Sequence, residues 1–399
     1  MNKPSKIITS QIIGTWLFLR CMTSLVVAGF SPFYPLTFLE KTIALWPPAP
    51  NFSAWLNRVF VAPWVRWDTL WFEKILVRGY VAWDGSTSFL PLYPLVSRPL
   101  YLLGMDPTLC LLITSSLSAL LLFWVFYRLA SLDLPPASAW TALLFLVTFP
   151  IAFILFAPYS ESLFLLLTVL ALYSMRQGRW ELVALFSFLA ALTRQQGIFL
   201  ALPMAWWAWE ASGKSLRGLK KAWPAWLTTL AAPAGLAAWA IYRMVFLHEG
   251  SLDFSNPQGL IYSTLLSPSA FKVLGGQAFQ WPWQVFAMAI LRAIHTPQIL
   301  DYISLILGIG FVVAFVVAWR HLNIADRLYC LAIILVSFSV FTSMYAYISL
   351  PRHLLPAMPV FIGLAAGLKK PWQRKTLIAV QIVGAIFLLI LFVFAQLIP

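Results

Sequence analysis

Apolar runs of about 18 to 22 residues recur along this chain, and few folds can house them. Wound as a helix, a run of that length matches the hydrocarbon thickness of a bilayer. Each segment then satisfies its own backbone hydrogen bonds, which lipid cannot do for it. Composition agrees, since charged residues make up 10% of the 399, against roughly 25% in a soluble domain. The mean hydropathy is +0.84. The predicted fold class is an all-α polytopic membrane protein. Its 20 Trp, 31 Phe and 13 Tyr suit the aromatic belts of membrane interfaces.

The hydropathy pattern predicts about eleven spans. The first runs from Ile7 to Phe30, and others lie near 109–128, 137–157, 160–175, 181–194, 197–210, 223–245, 297–318, 328–348, 354–368 and 376–397. Residues 282–293 are too short to span and are expected as an interfacial or re-entrant helix. A single integral-membrane domain over 1–399 is expected, with a first outer loop at 31–107 and a second at 246–296.

Charge sets the expected orientation. The net charge is +14, and its basic residues gather between spans rather than on one soluble face. With the N-terminus cytoplasmic, the turns holding Arg128, Arg176 and Arg179, Lys214 to Lys221, Arg320 and Arg327, and Lys369 to Lys375 all fall inside. Together with Lys3 and Lys6 these give 15 of the 27 Lys and Arg on one side. The excess serves topology and contact with anionic membrane lipids, so no nucleic acid partner is expected. Lys3 and Lys6 before an apolar run resemble a signal anchor without a cleavage site. Cys21, Cys110 and Cys330 stand singly, which suggests neither a disulfide framework nor a thiolate metal site. The scattered histidines show no metal spacing, so neither a metal nor a cofactor is predicted.

Only 13 residues are acidic, and five of them, Glu40, Asp68, Glu73, Asp84 and Asp106, lie in the first outer loop. Asp68 stands in Arg66-Trp67-Asp68 and is the candidate general base for an acceptor hydroxyl. An N-cap or an ion pair is the structural alternative. After it, Leu70, Trp71 and Ile75 recur at helical spacing while Glu73, Lys74 and Arg78 fall between, predicting an amphipathic interfacial helix. A second such helix is expected through Phe52, Trp55, Leu56, Val59 and Phe60. In Phe89-Leu90-Pro91-Leu92-Tyr93-Pro94-Leu95, two prolines three apart argue against a regular helix interior. Glu161 opens an apolar stretch, where an acid needs a polar cavity or a basic partner, or else serves the helix start. Arg194 breaks two apolar runs on the outer side and suits a lipid phosphate, or snorkels to the interface. Arg352 and His353 have a similar place before Pro356. Asn51-Phe52-Ser53 is a glycosylation triplet that predicts nothing without a secretory eukaryotic host.

Three stretches together resemble the PIG-V family of mannosyltransferases. They are Arg66-Trp67-Asp68 through Gly79-Tyr80 to Phe89–Leu95, then Phe149-Pro150 through Tyr159-Ser160-Glu161-Ser162, and Gly178-Arg179 through Thr193-Arg194-Gln195-Gln196-Gly197. They cover roughly 64–200. Many members carry an acid or His just before Phe72, where this chain has Leu70-Trp71.

The resemblance implies a GT-C fold and an inverting sugar transfer from a polyprenyl- or dolichyl-phosphate donor, commonly of mannose, to a lipid or glycolipid acceptor at the outer face. It implies Asp68 as catalytic base. Arg194 and Arg352 become candidate phosphate ligands, and Arg66, Glu73, Glu161 and His353 further substrate-binding residues. Trp67 and Tyr80 become candidates to stack on a sugar. A compact chain of this kind leans toward a bacterial or archaeal membrane. A transporter of lipid-linked glycans is the alternative from another class, but it calls for midplane charges and internal repeats, and the sequence shows no repeat.

Overall fold

The computed structural model describes residues 6–33, 60–250, 277–342, 346–347, 349–394 and 397. Glu40, the Asn51 triplet, most of the second amphipathic stretch and the centre of the second outer loop lie outside the described residues.

In chain order the helices are α1 (Lys6–Phe30), α2 (Asp68–Arg78), α3 (Leu92–Leu102), α4 (Pro107–Ala130), α5 (Pro136–Val147), α6 (Glu161–Arg176), α7 (Trp180–Ala191) and α8 (Ala201–Ala211). They continue with α9 (Trp223–Thr228), α10 (Ala231–Phe246), α11 (Pro282–His295), α12 (Ile299–Ala318), α13 (Ile324–Ser337), α14 (Leu350–Leu354), α15 (Pro359–Gly367) and α16 (Pro371–Val393). Two short antiparallel strands, β1 (Gln277–Phe279) and β2 (Val340–Thr342), pair with Gln277 opposite Thr342.

The chain is a multi-pass, all-α integral membrane protein. Among the described residues, five helical stretches are long and apolar enough to cross a bilayer: Ile7–Phe33, Pro107–Ala130, Trp223–Phe246, Ile299–His321 and Pro371–Val393. The other six expected spans fall on shorter helices. The 12-residue α5 and α7 rise only about 18 Å each. The sequence explains the breaks. Pro150 cannot continue a helix after α5, and Gly197 stands in the turn between α7 and α8. The proline-rich stretch differs from expectation, because α3 starts at Leu92. Pro91 precedes the helix and Pro94 sits in its first turn, where a missing N–H costs nothing.

The contacts divide the chain into two compact units. The first comprises 1–79, 93–169 and 368–399, and the second 80–92 and 170–367. In the first unit α4 packs against α1, α2 and α5, and α16 packs against α1 and α5. Trp16 Nε1 donates to the Ser116 carbonyl at 2.8 Å, and Thr148 Oγ1 donates to Gln381 Oε1 at 2.8 Å. These polar ties replace the hydrophobic drive that lipid does not supply between helices. In the second unit α7 packs on α10 and α12 on α15, both through glycines. A Cβ at Gly235 would stand 2.5 Å from the Phe188 carbonyl oxygen, and one at Gly363 would stand 2.6 Å from the Ala318 Cβ.

Candidate active site

Within the first unit, Asp68 is the first residue of α2 and is half-buried. The helix N-cap is Trp67 and makes no side-chain capping bond, so Asp68 does not fill the N-cap role. Its carboxylate instead lies in the first turn, where the helix dipole favours negative charge. Trp67 has φ +52° and ψ −118°, a backbone that a bulky residue rarely adopts. Such strain costs about 1–3 kcal/mol and gathers at functional turns. The same turn holds three buried donors with no acceptor among the described residues: Trp64 Nε1, Trp67 Nε1 and the Thr69 hydroxyl. Arg66 is buried at 3% exposure just before it.

The turn is docked on the second motif. The Tyr159 hydroxyl donates to the Arg66 carbonyl at 3.3 Å, bridging 93 residues of sequence. The Ser115 hydroxyl donates to the Tyr159 carbonyl at 3.0 Å and lies 2.7 Å from the Tyr93 hydroxyl. Glu161 opens α6 at 2% exposure, close enough to Tyr93 for its charge to act there. Tyr93 also stacks edge-on against Phe72 of α2, with ring centroids 4.8 Å apart. Arg66, Asp68, Tyr93 and Glu161 thus belong to one packed neighbourhood. Tyr93 was not singled out as a site residue, because a tyrosine between prolines carries no chemical signal of its own.

Glu73 turns inward from α2 onto the start of α4 and is 6% exposed. The Thr108 hydroxyl donates to it. Burial, reinforced by the charge of Asp106, pushes its carboxyl up to about 7 despite the Thr108 bond. Glu73 therefore packs beneath the helix that carries Asp68. At the other end of α2, Gly79 takes φ +82° and Arg98 donates to the Leu76 carbonyl, a basic group on the negative helix terminus.

Within the second unit, the charges of Arg194 and Arg352 both reach His353. The imidazole is pushed down to about 3, first by burial and then by the positive charges of Arg194 and Arg352. It is a neutral ring acted on by two cations that lie 158 residues apart in sequence. Gln196 Nε2 donates to the His353 carbonyl at 2.9 Å, and the Ser337 hydroxyl donates to the same oxygen at 3.0 Å. The loop of Arg194 is therefore tied to α14 and α13. Gly197 shows why the break needs a glycine, since a Cβ there would lie 2.5 Å from the Ala191 amide nitrogen and 2.6 Å from the Ala190 carbonyl carbon. Only a residue without a side chain lets the chain turn back over the end of α7. Gln196 stood in the motif, but its tie to His353 could not be read from it.

Tyr80 also lies in the second unit. Its ring packs on Trp239 at 4.7 Å, and its hydroxyl donates to the Phe89 carbonyl at 3.0 Å. Its expected place on a sugar face is therefore shared with a packing role. Among the described residues no three His, Cys, Asp or Glu side chains gather as a metal-binding group.

No curated protein matches the chain. Among solved structures, the crystal structure of ArnT from Cupriavidus metallidurans bound to undecaprenyl phosphate is similar at 13% identity and a TM-score of 0.45. The match covers 94% of this chain, which spans only 62% of that one. A likeness that distant fixes neither fold nor chemistry. The sequence model of the mannosyltransferase (PIG-V) family matches residues 17–214, a stretch that holds Asp68, Glu161 and Arg194. Over that stretch, about half its length, the chain belongs to the mannosyltransferase (PIG-V) family.

Proposed function

We propose that this protein is a GT-C-type membrane glycosyltransferase that moves mannose from a polyprenyl-phosphate donor to a hydroxyl of a lipid or glycolipid. Asp68 accepts the proton of the acceptor hydroxyl. The freed oxygen attacks the anomeric carbon with inversion, and the bond from that carbon to the phosphate oxygen breaks. Polyprenyl phosphate leaves with the electron pair, its charge held by Arg194 and Arg352. His353 stays neutral near the two arginines and so adds no competing charge. Arg66, Trp67 and Glu161 shape the acceptor side of the reaction, and Glu73 supports the helix of Asp68 from below.

The observation that carries this reading is that Arg194 and Arg352, far apart in sequence, both act on half-buried His353, while Gln196 of the Arg194 loop bonds its carbonyl. The planar donors of a guanidinium suit a phosphate, so two of them acting on one ring make a fitting pair of phosphate ligands. Family membership supports mannosyl transfer as the reaction. The positive-inside pattern supports an outer-face site with the N-terminus in the cytoplasm, where a lipid-carried donor replaces a nucleotide sugar.

The test is purified protein with labelled polyprenyl-phosphate mannose and a panel of lipid acceptors. Transfer to one of them is expected in the wild type and lost in Arg194→Gln. Full transfer by Arg194→Gln and by Arg352→Gln would refute the phosphate assignment.

A further inference from the structure

Glu249 plays no part in the chemistry above, yet it is fully buried, three residues past the end of α10. Arg243, one turn before that end, is 1% exposed and near enough for the two charges to interact. The Glu249 amide donates to the Arg243 carbonyl at 3.0 Å, which folds the chain back and turns the carboxylate inward. Both of its oxygens are taken by a distant segment. Oε1 accepts from the Thr87 hydroxyl at 2.7 Å and Oε2 accepts from the Trp83 amide at 3.2 Å. These partners precede Glu249 by 162 and 166 residues.

The segment so held is a tight turn with its own bracing. Ser86 exchanges hydrogen bonds with the amide and carbonyl of Val81, each at 3.2 Å, and the Ser86 amide donates to Asp84 Oδ1 at 2.8 Å. Trp83 has φ +63°, an unfavourable conformation for a large side chain, and its amide is one of the two anchored groups. The turn leads directly into Leu90 and Leu92. Leu90 packs with Leu236 and Trp239 and against Leu192 and Ile198, and the Leu92 amide donates to the Leu192 carbonyl at 3.0 Å. Leu192 and Ile198 flank the loop that carries Arg194 and Gln196.

We propose that Glu249 is a positioning residue: by gripping Thr87 and Trp83 it seats residues 83–92 against the Arg194 loop and so sets the protein's hold on a lipid phosphate. The proposal rests on the reading of Arg194 as a phosphate ligand. A buried carboxylate is a costly way to gain stability alone, because its desolvation roughly cancels its attraction to Arg243. What it supplies instead is direction, with two acceptors at fixed positions for two donors on another segment.

The direct variant, Glu249→Gln, removes a buried charge that acts on Arg243 and can fail to fold, so the test uses Thr87→Val, which keeps that charge. Full-length wild type, Thr87→Val, Thr87→Ser, Arg194→Gln and the Thr87→Val/Arg194→Gln double variant are purified into lipid nanodiscs. Binding of polyprenyl phosphate is measured by calorimetry and thermal stability by intrinsic fluorescence. Thr87→Val is expected to weaken binding about 5-fold, part of the roughly tenfold or greater effect of one lost hydrogen bond to a charged group, with Tm lowered by a few degrees. Thr87→Ser should restore wild-type binding, and the double variant should bind no worse than Arg194→Gln alone. Unchanged binding in Thr87→Val overturns the proposal, as does loss of binding that follows Tm in Thr87→Val and Thr87→Ser alike. Additive losses in the double variant overturn the route through Arg194. If Arg194→Gln binds like wild type while Thr87→Val does not, the phosphate reading fails and the proposal fails with it.

Discussion

Replacing Glu73 with Gln should remove a pH-dependent penalty that the fold imposes on itself. Glu73 is 6% exposed, and its carboxyl is pushed up to about 7 from an ordinary 4.5, mainly by burial. Below about pH 4.5 the folded and unfolded chains both carry the proton, and the group leaves stability unchanged. Between about pH 4.5 and 7 the folded state keeps the proton while the unfolded state releases it, so stability falls as pH rises. Above about 7 the folded carboxylate is charged too, and the loss levels off at about 3 kcal/mol. Glutamine has no proton to lose and still accepts from Thr108, so it should hold α2 on α4 without the penalty. The assay is apparent Tm in detergent from pH 4 to pH 8.5, read as the difference between wild type and Glu73→Gln. Asp106 is raised in the same direction by burial and its charge acts on Glu73, so the difference reads Glu73 together with that coupling. The variant should gain on wild type through that window by a few degrees, given about 2–4 °C per kcal/mol for domains smaller than this chain. A difference that stays constant with pH would refute the reasoning, because Glu73 would then be charged throughout or reach water.

Asp68→Asn should lower sugar transfer by about 100-fold or more, the usual contribution of a general base. Its Tm should stay near wild type, because Asp68 is half-buried and does not fill the N-cap of α2. Gly197→Ala places a methyl 2.5 Å from the Ala191 amide nitrogen, where only backbone could yield. It should cost about 1–3 kcal/mol and weaken polyprenyl phosphate binding, read by Tm and calorimetry together. His353, pushed down to about 3, is neutral in the folded chain and protonated at acid pH once unfolded. Its contribution is complete above about pH 6.5 and is lost as pH falls toward 3, so His353→Gln should blunt acid destabilisation in a Tm profile.

Local signals were legible where one short segment decides the structure by itself. The spacing of Leu70, Trp71 and Ile75 foretold α2, and Glu161 and Arg194 stand at the helix start and the helix break expected of them. The proline stretch was read too strictly, because Pro94 entered the first turn of α3, where its missing amide is harmless. Hydropathy marked apolar segments but not their helical lengths, since helices end near Pro150 and Gly197 while the apolar runs continue on both sides.

The sequence by itself determined that this chain lives in a membrane, because 10% charge and repeated apolar runs leave no other solvent for it. It also determined which residue types could do chemistry, since ionisable groups are so few. Only the tertiary structure decided which of them meet. Tyr159 on the Arg66 carbonyl, Gln196 on the His353 carbonyl, and Glu249 on Thr87 each join positions about 90 to 160 residues apart. A hydrogen bond or a charge acts over a few ångströms of space, and sequence separation carries no record of that distance.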